Sequence, residues 1–157
     1  TTGKTPDRER NIKTTLYIEP ADLEVVNKKL QEKFKQIQKQ EIRYEETLTE
    51  DADAVITAFG LSSRIAKKAM DLAREEGIKV GLFRPIALWP FPTQRILELA
   101  ETPRIKFFIS IEMNAGQMVE DVKVAVQGKK KVHFYGRTGG IVPTPEEILD
   151  VVKQYFK

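Results

Sequence analysis

The last two-thirds of the chain alternates short apolar runs with amphipathic helical segments. This alternation is the sequence feature that constrains the fold most. The first apolar run, 54–59, is rich in β-branched residues and is followed by a helical pattern that ends at Gly77. The same order recurs three more times before the C-terminus. Short apolar runs of this kind are typical of strands buried in a parallel sheet. Right-handed crossovers then place helices on both faces. The sequence therefore predicts a three-layer α/β domain with a mostly parallel sheet of 4–5 strands.

The ends of the predicted elements are marked by capping residues. Ser62 or Ser63 is the predicted N-cap of the first helix of the domain. Thr144-Pro145-Glu146-Glu147 combines a cap, a proline at the first helical position and acids in the first turn. The predicted strands are 54–59, 78–84, 105–111 and 132–135, and the predicted helices are 64–76, 93–101, 118–126 and one that starts near Thr144.

The N-terminal third has a different character. We expect residues 1–51 to be the tail of an upstream domain and a linker helix, and residues 52–157 to be the α/β domain. The linker helix is predicted from Asp22 to about Gln40, and 41–51 is interpreted as a charged link. The helix carries one narrow apolar stripe of Leu23, Val26, Leu30, Phe34 and Ile37. The stripe packs either on the body of this domain or on another subunit or domain.

Composition excludes several classes of function. The 157 residues include no cysteine, so the chain offers no disulfide, no cysteine nucleophile and no thiolate ligand for an iron–sulfur cluster. His133 is the single histidine, so neither a metal site nor a serine–histidine pair is expected. The 26 basic and 23 acidic residues are interleaved, which argues against nucleic acid as a partner. No apolar run approaches a membrane span, and we expect a cytoplasmic protein.

Ligands and partners of parallel sheets meet the loops beyond the carboxyl ends of the strands. Glu112, Asn114 and Gln117 follow the most apolar strand and are candidates for the edge of a cleft or an interface. Arg137 lies in a glycine-rich loop, where it is either a clamp for a phosphate or carboxylate or a solvated arginine in a tight turn. Trp89 lies in a rigid proline-rich loop, for which a partner contact is favoured over packing on the core. The turn at 60–63 has one glycine only and is interpreted as a helix cap rather than a nucleotide site.

Four motifs resemble one protein family. They read VGLFRPI at 80–86, LWPFP at 88–92, EMNAGQMVEDV at 112–122 and GGIVPTPEEI at 139–148. These motifs resemble the α subunit of 2-oxoacid:ferredoxin oxidoreductases. Upstream, LYIEP at 16–20 and KLQEK at 29–33 are similar to the segment that links the two domains of that subunit. The linker is most similar to the 2-oxoisovalerate type, with the 2-oxoglutarate type next.

The resemblance implies that 52–157 is a transketolase C-terminal-like domain of an enzyme that is larger than this chain. It implies an oxidoreductase that decarboxylates a 2-oxoacid to an acyl-CoA and reduces ferredoxin. The complete enzyme is expected to use thiamine diphosphate, magnesium, iron–sulfur clusters and coenzyme A, with none of these cofactors on this chain. Its partners are expected to be the β and other subunits, with neither nucleic acid nor membrane.

In this family the C-terminal domain builds subunit interfaces and the wall of the active-site cleft. No catalytic residue is carried over, and the isolated chain is expected to be inactive. One alternative stays open, which is a free-standing module that binds a phosphorylated ligand such as coenzyme A through Arg137 or contacts another protein.

Overall fold

Five strands and five helices are seen in the computed structural model, which describes residues 5–10, 12 and 14–156. The helices are α1 (Pro20–Gln40), α2 (Gly60–Glu75), α3 (Thr93–Glu101), α4 (Met118–Val126) and α5 (Pro145–Phe156). The strands are β1 (Tyr44–Thr47), β2 (Ala54–Ala58), β3 (Val80–Pro85), β4 (Phe107–Glu112) and β5 (Lys131–Gly136). The chain divides into two units, Thr1–Lys39 and Gln40–Lys157.

The first unit is dominated by α1, which confirms the helix predicted there, while its role as a linker stays a prediction. It begins at Pro20, slightly earlier than predicted, because a proline in the first turn gives up no helical hydrogen bond. None of the residues of α1 is buried. Exposed ion pairs, such as Lys35 with Glu32, lie on its surface. The packing of its apolar stripe, either on this domain or on another subunit or domain, stays a prediction.

The second unit is built on one sheet of strand order β1-β3-β2-β4-β5. Strands β2 to β5 are mutually parallel, and β1 pairs antiparallel with β3 at one edge. In the register of the central strands, Thr57 lies between Phe83 of β3 and Ser110 of β4. The predicted fold class of a mostly parallel three-layer α/β domain is confirmed.

Two apolar clusters cover the two faces of this sheet. Because alternate residues of a strand point to opposite faces, neighbouring residues of each strand contribute to different clusters. Each large side chain that is fully buried contributes about 2 kcal/mol of transfer free energy. One cluster packs α2 and α5 on the sheet and includes Ala54, Ile56, Met70, Leu82, Ile109 and Ile148. The other packs α3 and α4 and includes Val55, Phe83, Ile96, Phe108 and Val122.

The interpretation of 41–51 as a charged link is wrong, because β1 lies within it. The charges of β1 have partners far away in sequence. Glu45 accepts a hydrogen bond of 2.9 Å from Arg84 on the neighbouring strand, and Glu46 pairs with Arg95 of α3 at 2.6 Å. Tyr44 stacks on Phe83, with ring centroids 5.1 Å apart. These contacts explain why residues 40–51 belong to the second unit.

The predicted cap of α2 is also wrong. The helix begins directly at Gly60, and Phe59 occupies the N-cap position without a side-chain hydrogen bond. The Ser63 hydroxyl instead donates to the carbonyl oxygen of Gly60 at 2.8 Å. Gly60 has φ of +56°, a value that glycine adopts without strain, so strand β2 turns into α2 with no loop.

His133 lies in an aromatic group between β5 and the last helix. Its ring stacks on Tyr155 at 3.7 Å between centroids and meets the edge of Phe107 at 5.5 Å. Burial lowers the pKa of His133, and the charge of Lys131 lowers the pKa further. The imidazole is therefore neutral in the folded state at pH values where the unfolded chain already takes up a proton.

We predict that His133 makes the protein less stable as the pH falls below the ordinary histidine pKa of about 6.5. Below that pH the unfolded state binds the proton first, so stability falls until the lower pKa of the folded state is reached. Thermal unfolding of the wild type and of His133→Phe between pH 7.5 and pH 5 should show a smaller fall of Tm in the variant. Equal falls in the two proteins would contradict the prediction.

Candidate functional site

Sequence-predicted site residues lie at one edge of the sheet, where β2 to β5 end. We define the carboxyl rim as the first turn of α2 and the loops 86–92, 113–117 and 137–144. Trp89, Asn114, Gln117 and Arg137 belong to these loops, and Glu112 is the last residue of β4. The parallel order of the four strands brings the loops to the same edge.

Glu112 is completely buried, and its carboxylate is fully used inside the chain. One oxygen accepts from the amide of Val119 at 2.8 Å and from the Ser110 hydroxyl at 3.0 Å. The other oxygen accepts from the amides of Met118 at 2.9 Å and Gln117 at 3.1 Å. The negative charge thus caps α4 and lies against the positive end of its dipole. These contacts give Glu112 a structural role, whereas the sequence predicted a side chain at the edge of a cleft or interface.

Asn114 shapes the loop that follows Glu112. Its side-chain oxygen accepts from the amide of Gly116 at 2.7 Å, which closes a local turn. Gly116 has φ of +103°, and a Cβ at this position would crowd Val119. Gln117 is exposed, and its backbone amide belongs to the Glu112 cap. Of the predicted site residues Asn114 and Gln117, Gln117 is the one with an exposed side chain.

The loops after β4 and β5 are packed against each other. The amide of Arg137 donates to the backbone oxygen of Glu112 at 3.1 Å. A Cβ on Gly136 would collide with the carbonyl oxygen of Asn114 and with the ring of Phe134, so only glycine fits there. The two loops therefore form one continuous part of the rim.

Arg137 is paired with a residue of its own chain. Its guanidinium lies 3.3 Å from the carboxylate of Glu147, and the Tyr135 hydroxyl, followed by Glu147, raises the pKa of Arg137 above its ordinary value. Glu147 also accepts from the amide of Thr144, while the Thr144 hydroxyl accepts from the amide of Glu147. This reciprocal capping box confirms the predicted start of α5.

Large apolar side chains project from the rim. The Trp89 side chain is 55% exposed, while the flanking Pro90 and Pro92 are buried and hold its loop. The sequence pointed to Trp89 but missed Ile141 and Val142, whose signal was an apolar pair beside two glycines in a polar segment. The exposed apolar residues of the rim are Leu61, Ile86, Leu88, Trp89, Ile141 and Val142.

Within residues 5–10, 12 and 14–156, no group of three or more histidine, cysteine, aspartate or glutamate side chains could hold a metal ion. None of the helices over the same residues is long and apolar enough to cross a membrane.

Comparisons with known proteins agree on one family. The sequence profile of the pyruvate:ferredoxin oxidoreductase core domain II matches residues 52–148. The ketoisovalerate oxidoreductase subunit VorB of Methanothermobacter marburgensis is 46% identical over 145 residues, which are 92% of this chain and 40% of that protein. The chain therefore spans about 40% of the length of this curated relative.

Solved structures agree with the sequence comparison. The 2-oxoglutarate:ferredoxin oxidoreductase from Magnetococcus marinus, solved with 2-oxoglutarate, coenzyme A and succinyl-CoA bound, matches with a TM-score of 0.71 at 25% identity. The match covers 90% of this chain and 24% of that one. A split-gene transketolase, solved as an inactive β4 tetramer, shares the fold with a TM-score of 0.59 at 18% identity, over 71% of this chain and 40% of that one.

We predict that Glu112→Gln lowers the free energy of unfolding by about 3 kcal/mol, because a side-chain amide has one acceptor oxygen for the four donors and lacks the negative charge. Glu120→Gln is the matched control, since Glu120 is an exposed residue of the same helix that pairs with Lys123. Urea unfolding followed by circular dichroism measures both changes. If the two variants unfold at the same urea concentration, Glu112 is not the cap that its contacts indicate.

Proposed function

Because this chain belongs to the family of the pyruvate:ferredoxin oxidoreductase core domain II, we propose that it is the C-terminal part of the α subunit of a 2-oxoacid:ferredoxin oxidoreductase. The family match confirms the resemblance found in the sequence. The complete enzyme oxidatively decarboxylates a 2-oxoacid to an acyl-CoA and reduces ferredoxin. Because the chain spans only about 40% of its curated relative, this activity is proposed for the assembled enzyme.

In this proposal the chain supplies a subunit interface and a wall of the active-site cleft. The observation that carries it is the set of six exposed apolar side chains on the carboxyl rim. Exposed apolar groups gathered at one edge of a domain are typical of a protein interaction site. Burial of such a side chain contributes about 25 cal/mol for each Å² removed from water. The β and other subunits of the oxidoreductase are the proposed partners.

The polar groups of the rim support a structural role in this chain. Glu112 caps α4, Asn114 closes a turn and Arg137 pairs with Glu147. Each side chain is already bound to a group of the same chain, so none is set up as an acid, base or nucleophile. The pairing of Arg137 also weakens the alternative of a free-standing module that binds phosphate or coenzyme A through this arginine.

The donor atoms of this chain do not fit the iron–sulfur clusters of the proposed enzyme. The sequence has no cysteine and so no thiolate for an iron–sulfur cluster. The clusters are therefore proposed to lie in other parts of the enzyme, and magnesium, thiamine diphosphate and coenzyme A are proposed to lie there too. Ferredoxin is proposed to meet the complete enzyme and not this chain alone.

The proposed substrate is a branched-chain 2-oxoacid. The 46% identity to a ketoisovalerate oxidoreductase subunit supports this choice over 2-oxoglutarate. We expect the complete enzyme to have a kcat/KM for 2-oxoisovalerate at least about tenfold above that for 2-oxoglutarate, a difference of roughly 1.4 kcal/mol.

The purified chain alone should oxidise neither substrate and should give no thiamine diphosphate signal in calorimetry. Tight binding of the cofactor by the isolated chain would overturn the proposal.

The interface is tested by charge substitutions on the rim. We predict that Leu88→Asp or Ile141→Asp weakens association of the chain with the other subunits at least about tenfold, because a carboxylate would be buried in an apolar contact. Val124→Asp on α4 is the matched control, since Val124 is 71% exposed and lies outside the rim. Co-purification from cells that express all subunits measures the loss. If all three variants assemble equally well, the rim is not the interface.

A further inference from the structure

Two cavities beside the first turn of α2 share Arg64 and Arg84 in their walls. One has a volume of about 200 Å³, and its other lining residues are Glu45, Thr47, Ser63, Lys67 and Leu82. The second has a volume of about 220 Å³ and is completed by Gly60 and Leu61. Both are therefore lined by one arginine of α2 and one arginine of β3.

The lining of these cavities carries an excess of positive charge. Arg64, Lys67 and Arg84 are opposed by the carboxylate of Glu45 alone, so the net charge of the lining is +2. Glu45 contacts only Nη1 of Arg84, at 2.9 Å. Arg64 and Lys67 are three residues apart on α2, a spacing at which like charges repel. An anion in the cavity would remove this repulsion.

Arg84 contributes a donor that the chain leaves unused. Its Nε atom is buried and has no hydrogen-bond partner within the described part of the chain. Buried donors without an acceptor are rare in folded proteins. The planar fork of an arginine is suited to bind the oxygens of a phosphate or carboxylate. Arg84 thus lines both cavities and carries one donor for which the described residues supply no acceptor.

The start of α2 adds to the positive potential of the cavities. The N-cap residue Phe59 makes no side-chain hydrogen bond, and the first turn contains no acid. The Ser63 hydroxyl is engaged as a donor to the carbonyl oxygen of Gly60. The positive end of the helix dipole is thus left without an anionic partner of its own, in contrast to α4 with its Glu112 cap.

We propose that Arg64, Lys67 and Arg84, together with the first-turn amides of α2, bind an oxyanion, which is a phosphate or carboxylate group. The two sources of this chemistry are a small phosphate-bearing ligand and an acidic side chain of a partner protein. The site depends on charged groups of this chain and not on the apolar side chains of the rim. It therefore stands or falls independently of the assignment to an oxidoreductase.

The test is a titration of the ¹⁵N-labelled 157-residue chain with inorganic phosphate and, separately, with acetate, at constant ionic strength in sodium chloride. We expect saturable shifts of the Nε–H signal of Arg84 and of the backbone amides of 61–64. Saturation by phosphate only identifies a phosphate ligand, and saturation by both anions identifies a carboxylate-accepting site. The absence of saturable shifts with either anion would overturn the proposal.

Substitution of Arg64 gives a variant that is expected to fold, because its side chain is exposed. Arg64→Gln should weaken the anion affinity about tenfold, the loss expected for one charged hydrogen bond. Arg104→Gln is the matched control, since Arg104 is an exposed arginine that lines neither cavity. Equal dissociation constants for the two variants would show that the charge excess alone attracts the anion, which also overturns the proposed site.

Discussion

The buried carboxylate of Glu112 is the contact on which the rim depends. It holds three amides of the loop and first turn of α4, and its own backbone oxygen holds the amide of Arg137. A charge can stay buried here only because four donors and a helix dipole replace the water it has lost. One residue of the central region of the sheet thereby fixes a helix and the starts of two loops.

This arrangement makes the rim a preorganised surface. Glycines at 116 and 136 allow the loops after β4 and β5 to approach each other, and the ring of Phe134 fills the space between them. The loop with Trp89 is held in a different way, by two buried prolines. A surface that is ordered before a partner arrives loses less conformational entropy on binding. Rigid loops that display apolar side chains are therefore consistent with a domain that supports chemistry carried out elsewhere in an enzyme.

The parallel strands and α3, α4 and α5 were predictable, because burial demands apolar runs and apolar helix faces and because a capping box marks the start of α5. Strand β1 was not predictable, since its sequence YEET is polar and its partners Arg84 and Arg95 lie 39 and 49 residues away.

The role of Glu112 was missed although a signal existed. Phe108, Ser110 and Glu112 alternate along β4 and so share one buried face, which predicts an inward carboxylate. The pairing of Arg137 with Glu147 depends on loop geometry that no local pattern encodes.

The antiparallel direction of β1 has a mechanical consequence. Tyr44 at the start of this strand pairs with Pro85 at the end of β3, so the polypeptide enters the second unit at the carboxyl rim. Immediately before that point, the carbonyl oxygen of Arg43 accepts from the amides of Ile86 at 2.9 Å and Ala87 at 3.1 Å. Tension on the incoming chain is therefore transmitted to the root of the Trp89 loop, which belongs to the surface proposed to meet the partner.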